Sequence, residues 1–207
     1  MRSRGSPARW VVAFCLAAGA ARVLAASVGI AVIDRNGTSV EDAAVYLEPL
    51  DAKTPPLKSR TVEIEQKDRR FSHLMTVVQV GQGILFPNRD SVRHHVYSLS
   101  QAKLFELKLY SGVHSSPVVF DKPGSVVVGC NIHDKMVTYI HVVDTPWHGK
   151  SDAEGRVRLD GVPEGRYKLK VWHYGLANLD AAAEQVITLK GDSASASVRL
   201  ELRRGAH

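Results

Sequence analysis

The chain is short of cysteine, with two in 207 residues, Cys15 and Cys130. No disulfide framework can be built on so few, and no zinc ribbon with paired cysteines. Long amphipathic spacing is missing as well, which excludes a helical bundle. The longest apolar run, Trp10 to Ala21, falls short of the ~20 residues that a membrane span needs. No basic cluster is interleaved with aromatic residues, so nothing points to nucleic acid.

What is present begins with an N-terminal leader. Arg2, Arg4 and Arg9 precede the apolar run, and Val23-Leu24-Ala25 supplies the small residues of a cleavage site. Residues 1–25 therefore read as a secretory signal peptide, and the expectation is a periplasmic protein with no membrane span. Cys15 lies within the leader but lacks the small residues that a lipoprotein site places before it. The whole chain carries 27 basic and 21 acidic residues, a net +6; without the four leader arginines the balance is only +2. Cleavage also leaves one cysteine, Cys130. A lone exported thiol calls for burial, catalysis or a bound metal.

Cys130 opens the segment Cys130-Asn131-Ile132-His133-Asp134-Lys135-Met136, with the spacing C-x2-H-x2-M. A thiolate, imidazoles and a thioether form the donor set of a blue copper site, in which two His and one Cys make a plane and a Met lies on a weak axis. The second His has to come from elsewhere, and the stretch 88–98 offers His94 and His95. The two point to opposite faces of a strand. Alternation there is too irregular to choose between them. The spacing alone is a weak signal, since such residues meet by chance in many chains.

Short β-rich runs fill the rest, separated by turn signals such as Arg35-Asn36-Gly37, Lys122-Pro123-Gly124 and Pro163-Glu164-Gly165. Strands are predicted at 28–34, 43–47, 62–65, 76–80, 83–87, 94–98, 105–109, 116–120, 125–130, 137–143, 156–159, 166–172, 184–189 and 195–202. One helical turn is predicted at 176–183. The fold class is all-β, built from antiparallel sandwiches.

Thr76 to Asn88, with its Gly81-Gln82-Gly83 turn, resembles the strand, glycine turn and strand of a cupredoxin domain. His94-His95-Val96-Tyr97-Ser98 is similar to that family's His-Asn-Val-aromatic-Ser strand. Phe120-Asp121-Lys122-Pro123-Gly124 followed by Val126–Gly129 is similar to its approach to the ligand loop. The resemblance spans residues 59–146 and implies a cupredoxin Greek-key β-sandwich with one type 1 copper held by His94, Cys130, His133 and Met136. The short loop from Cys130 to Met136 resembles that of amicyanins. One residue departs from the pattern: His95 stands where the family usually has an Asn that ties the strand to the ligand loop. His95 thus stays open as the competing ligand.

A second group of segments flanks the first. The hairpin around Asp34-Arg35-Asn36-Gly37, together with Asp152 to Val171, resembles an Ig-like module of the carboxypeptidase-regulatory type. Residues 27–50 and 147–203 would make one sandwich into which the cupredoxin domain is inserted, with 51–58 as linker. In the competing tandem arrangement the first hairpin merely extends the cupredoxin.

The expected function is transfer of single electrons between redox partners, such as a cytochrome c or a periplasmic dehydrogenase. Chains that this one resembles carry the label methylamine utilisation protein, which implies the latter. The alternative is a non-redox copper-handling protein or an interaction module. No enzyme activity is expected: the chain lacks the His-x-His pairs of multicopper oxidases and nitrite reductases, and the second loop cysteine of a dinuclear centre. A zinc site on Cys and two His is chemically possible, with Met136 as bystander. His114, His141, His148 and His173 read as structural or surface residues, Met75 as sheet packing, and Tyr46, Tyr167 and Trp172 as core of the flanking sandwich.

Overall fold

The computed structural model describes residues 25–55, 60–113 and 116–203. Residues 1–24 of the expected leader, part of the expected linker and His114 lie outside these residues. All regular structure among the described residues is strand.

Two sheets come from the flanking segments. One has the order β14 (Arg156–Pro163), β1 (Ala25–Asp34), β17 (Ser193–Leu200), in which β1 runs antiparallel to β14 and parallel to β17. The other has the order β13 (His148–Lys150), β2 (Ala44–Pro49), β15 (Gly165–Trp172), β16 (Ala183–Leu189), all antiparallel. Val28, Ile30 and Val32 alternate inward on β1 and meet Val45, Leu47, Leu169 and Val171 in one core. Each such side chain contributes roughly 1.5–3 kcal/mol by leaving water.

The chain between them makes three more sheets. A five-stranded sheet has the order β6 (Met75–Gln79), β12 (Val137–Val143), β11 (Gly124–Cys130), β8 (His94–Ser100), β9 (Lys103–Tyr110). It faces the three short strands β10 (Val118–Val119), β7 (Gly83–Leu85) and β3 (Val62–Glu63) across a core rich in Phe86, Phe120, Val126, Val128 and Ile140. The hairpin β4 (Gln66–Lys67) and β5 (Arg70–Phe71) adds Phe71 to the same core.

Two sequence expectations need correction. Residues 176–183 form turns rather than a helical turn, because Asn178 caps the backbone N–H of Asp180 with its side chain while Leu176 bridges to Leu202. Trp172 and Tyr46 do not pack in the flanking core, although Tyr167 does. Trp172 lies with Ala44 and Met75 in a separate cluster where the two sets of sheets touch, and Tyr46 faces His141 there. His141, on β12, is the polar centre of that contact. Its ring stacks on Trp172 at 4.7 Å and 13°, and its nitrogens lie 3.3 Å from the Tyr46 hydroxyl and 3.3 Å from Ser125 Oγ. Burial, with a smaller contribution from Lys170, pushes its pKa down to about 3. Tyr46, enclosed beside it, is pushed up for the same reason.

Candidate metal centre

Strand register brings three of the four sequence-predicted donors together, His94, Cys130 and His133. Cys130 is the last residue of β11 and pairs with Val96 of β8, two residues beyond His94. The following six residues turn back into β12. His133 N–H donates to Cys130 O at 3.4 Å, Met136 N–H to His133 O at 2.9 Å, and Cys130 N–H to Met136 O at 3.1 Å. These three bonds close the loop and fix both of its ends against each other.

Inside that frame, His94 Nδ1 and His133 Nδ1 each lie 3.6 Å from Cys130 Sγ. The three donor atoms all fall within 4.8 Å of one another, and they form the one such group among the described residues. The two imidazoles are tilted at 58° with centroids 5.0 Å apart, so both edges converge on the sulfur without stacking. A first-row ion ~2.0 Å from nitrogen and ~2.3 Å from sulfur, at trigonal angles, spaces N and S by ~3.7 Å. The observed spacing fits such an ion. Met136 is 1% exposed and shares the core cluster of Cys130. His94 is fully buried, whereas His133 is only partly so and Ile132 beside it is exposed.

His94 and His95 lie on opposite faces of β8, and only His94 faces Cys130. Burial alternates strictly along the first five residues of β8, with His94, Val96 and Ser98 inward and His95 and Tyr97 outward. His95 Nε2 pairs instead with Glu106 on β9 at 2.8 Å. Its backbone ties the strand to the ligand loop, since His95 O accepts the N–H of Asn131 at 3.0 Å.

Sequence reasoning left the partner of His94's other nitrogen unassigned, and the structure supplies Asp90. Its Oδ2 lies 2.6 Å from His94 Nε2. Burial pushes the Asp90 carboxyl up, but the His94 hydrogen bond and the N–H groups of Arg69 and Asp68 outweigh it and hold the acid below its ordinary range. A carboxylate four residues before the histidine was the only signal in the sequence. Around it, Asn88 Oδ1 accepts the Asp90 N–H at 2.9 Å, and Asn88 Nδ2 donates to Val92 O and Tyr110 O. Tyr110 donates to Phe86 O at 2.5 Å. Enclosure, opposed by a bond from Gln66 and aided by nearby Cys130, pushes the Tyr110 pKa up to about 12.

No protein-family model matches the chain, and no curated protein matches it. Among solved structures it is similar to a reduced amicyanin variant at 18% identity, over 40% of this chain and 81% of that one, with a TM-score of 0.36. A Cu(I) amicyanin variant gives 14% identity over 47% and 97% of the two chains, again at 0.36. A copper-containing nitrite reductase of Thermus scotoductus SA-01 gives 22% identity over 46% of this chain and 25% of that one, at 0.38; the chain spans about a quarter of that protein's length.

Proposed function

We propose that the protein holds one type 1 copper ion on His94, Cys130 and His133, with Met136 as the weak axial donor, and carries single electrons between periplasmic redox partners. The observation that carries this reading is the convergence of one thiol and two imidazole nitrogens within 4.8 Å. A thiolate with two imidazoles, and a thioether on the same loop, suits copper. Bound there, copper supplies a one-electron couple.

The residues of the chain do the rest. Cys130 gives up its proton to bind as thiolate. His94, buried and anchored, keeps the inner side of the site fixed. His133, with one edge toward solvent, is the route by which an electron enters and leaves, and Lys135 and Asp134 flank it. Hydrogen bonds close the 130–136 loop, so the donors keep their places in both oxidation states and the cost of rearrangement is small. Met136, buried on the core side of the loop, would serve as the fourth donor, an arrangement that suits a carrier. A cytochrome c or a periplasmic dehydrogenase suits such a carrier as partner.

For the architecture we infer an insertion, with a cupredoxin-type sandwich at 59–146 set into an Ig-like one at 27–50 plus 147–203. Its support is that, among the described residues, no strand from 62–143 pairs with a strand of the flanking segments.

The test is titration of the metal-free protein with Cu(II), followed by visible absorption and electron paramagnetic resonance. The expected result is an intense blue band with narrow hyperfine splitting at one copper per chain, lost in Cys130→Ser because the thiolate is the source of the charge-transfer transition. A pale product with ordinary splitting overturns the reading. Preference for Zn(II) would leave the zinc alternative, and tight Cu(I) retention without electron exchange would leave copper handling.

A further inference from the structure

Two N–H groups, one carboxylate and one imidazole form a chain that ends at the cluster. The turn joining β4 to β5 has Asp68 at φ 52° and Arg69 at φ 55°, both left-handed. Two-residue hairpin turns of this hand favour Asn-Gly or Asp-Gly, and a non-glycine residue held there costs about 1 kcal/mol or more. Here neither position is glycine. The strained turn aims both of its N–H groups at one acceptor: Asp68 N–H donates to Asp90 Oδ1 at 2.6 Å and Arg69 N–H to Asp90 Oδ2 at 3.0 Å.

That leaves Oδ2 also facing His94 Nε2 at 2.6 Å, with His94 Nδ1 3.6 Å from Cys130 Sγ on the other edge of the ring. An ionised carboxylate only accepts, so the neutral ring carries its proton on Nε2 and presents the lone pair of Nδ1 to the cluster. The hairpin itself is anchored: Gln66 N–H donates to Pro87 O at 2.8 Å and Arg89 N–H to Gln66 O at 2.8 Å, flanking Asp90's own segment. His94 has no exposed surface and the Asp90 side chain 11%, so little water competes for the bond.

We propose that Asp90, seated on the left-handed Asp68–Arg69 turn, is a positioning residue that presets His94 as an Nδ1 donor and favours the oxidised over the reduced metal. The second half rests on the copper reading above; the first does not need it. A carboxylate on the far nitrogen makes a ligating imidazole a stronger donor, and loss of such a partner typically costs 10–100-fold in metal affinity. The more highly charged ion gains more from that donor strength. Removing the Asp90 charge therefore weakens Cu(II) binding more than Cu(I) binding and raises the reduction potential, by ~59 mV for each tenfold difference.

Two variants of the full chain separate these roles. Asp90→Ala removes the acceptor and is read in the metal-free protein at mildly alkaline pH, by ¹⁵N chemical shifts of the His94 ring. Wild type is expected to show a single tautomer protonated at Nε2, and the variant a mixture. Asp90→Asn keeps an acceptor oxygen and removes the charge; its copper form is expected to retain the blue band at a raised potential, with Cu(II) affinity about tenfold lower or more. Unchanged His94 shifts in Asp90→Ala, or an unchanged potential in Asp90→Asn, overturns the proposal. A merely structural Asp90 would lower the unfolding midpoint and move neither readout, which overturns it equally. Should the wild type take up no copper, the carrier reading fails while the metal-free spectrum still tests the positioning role; should Asp90→Ala not fold, the Asp90→Asn ring shifts and potential decide.

Discussion

His94 and His95 are neighbours in the chain and point to opposite faces of one strand, so that His94 faces Cys130 while His95 pairs with Glu106 at 2.8 Å on the outer face. A single residue of register separates a proposed ligand from a surface ion pair. It follows that His94→Ala should lose copper or open the site to ordinary splitting, and that His95→Asn should keep the blue band and one copper per chain. Visible absorption and electron paramagnetic resonance of the two variants check this, and the reverse pattern would sink the assignment.

Met136 closes the ligand loop from the core side. Replacement by Leu preserves its volume and burial but removes the thioether, a weak donor that favours Cu(II). The variant is expected to stay blue and to rise in potential by some tens of millivolts, where ~59 mV marks a tenfold change in relative affinity. Voltammetry of wild type and Met136→Leu measures the shift; a fall in potential would rule out Met136 as an axial donor.

Protonation of His141 gives acid pH a way to weaken the contact between the two sets of sheets. Its folded pKa is about 3 and its ordinary value 6.5, so the unfolded chain binds the extra proton throughout that window. Stability from this group is complete above 6.5 and drains away as pH falls toward 3, at up to about 1.4 kcal/mol per pH unit. Lys170 adds to the penalty on the charged ring, while Glu48, Asp144, Asp180 and Glu184 line the same cavity and oppose it. Denaturant unfolding of wild type and His141→Phe across this range should give curves that converge as the pH is lowered. Parallel curves would show that His141 does not titrate as its surroundings dictate.

Gly155 sits at φ +71° where an added Cβ would lie 2.4 Å from Val32 O. That carbonyl belongs to the buried run of β1, and Val32 N–H donates to Gly155 O at 2.7 Å, so neither side can withdraw cheaply. Gly155→Ala is expected to destabilise the protein by more than about 1 kcal/mol, which for a chain of this length lowers the melting midpoint by roughly 2–4 °C per kcal/mol. Calorimetry decides it, and an unchanged midpoint would mean that the turn relaxes.

Much of this was legible from the chain. Strands with clear alternation or strong turn signals, such as β1, β11, β12 and β15, fall within a few residues of their expected places, because their pattern is written locally. Cys130 and His133 were legible for the same reason, being held on one short loop. The hairpin at β4 and β5 was not: its strands have two residues each, and its turn uses Asp68-Arg69 in place of the glycine that usually marks such a reversal. Asp90 was hidden because its partners, Asp68, Arg69 and His94, meet only after the chain folds. Trp172 was misplaced because alternation tells which face a side chain takes, and not which sheet comes to cover that face.

The pairing of β1 has a consequence in time. Its neighbours are residues 156–163 on one side and 193–200 on the other, so this strand can pair only across the whole of the intervening chain. The strands around Cys130 lie within one uninterrupted stretch and can pair as soon as they appear, whereas the flanking sandwich must wait for distant contacts to outweigh a long loop closure. Folding is thus expected to run from the middle outward, with the outer layer locking last.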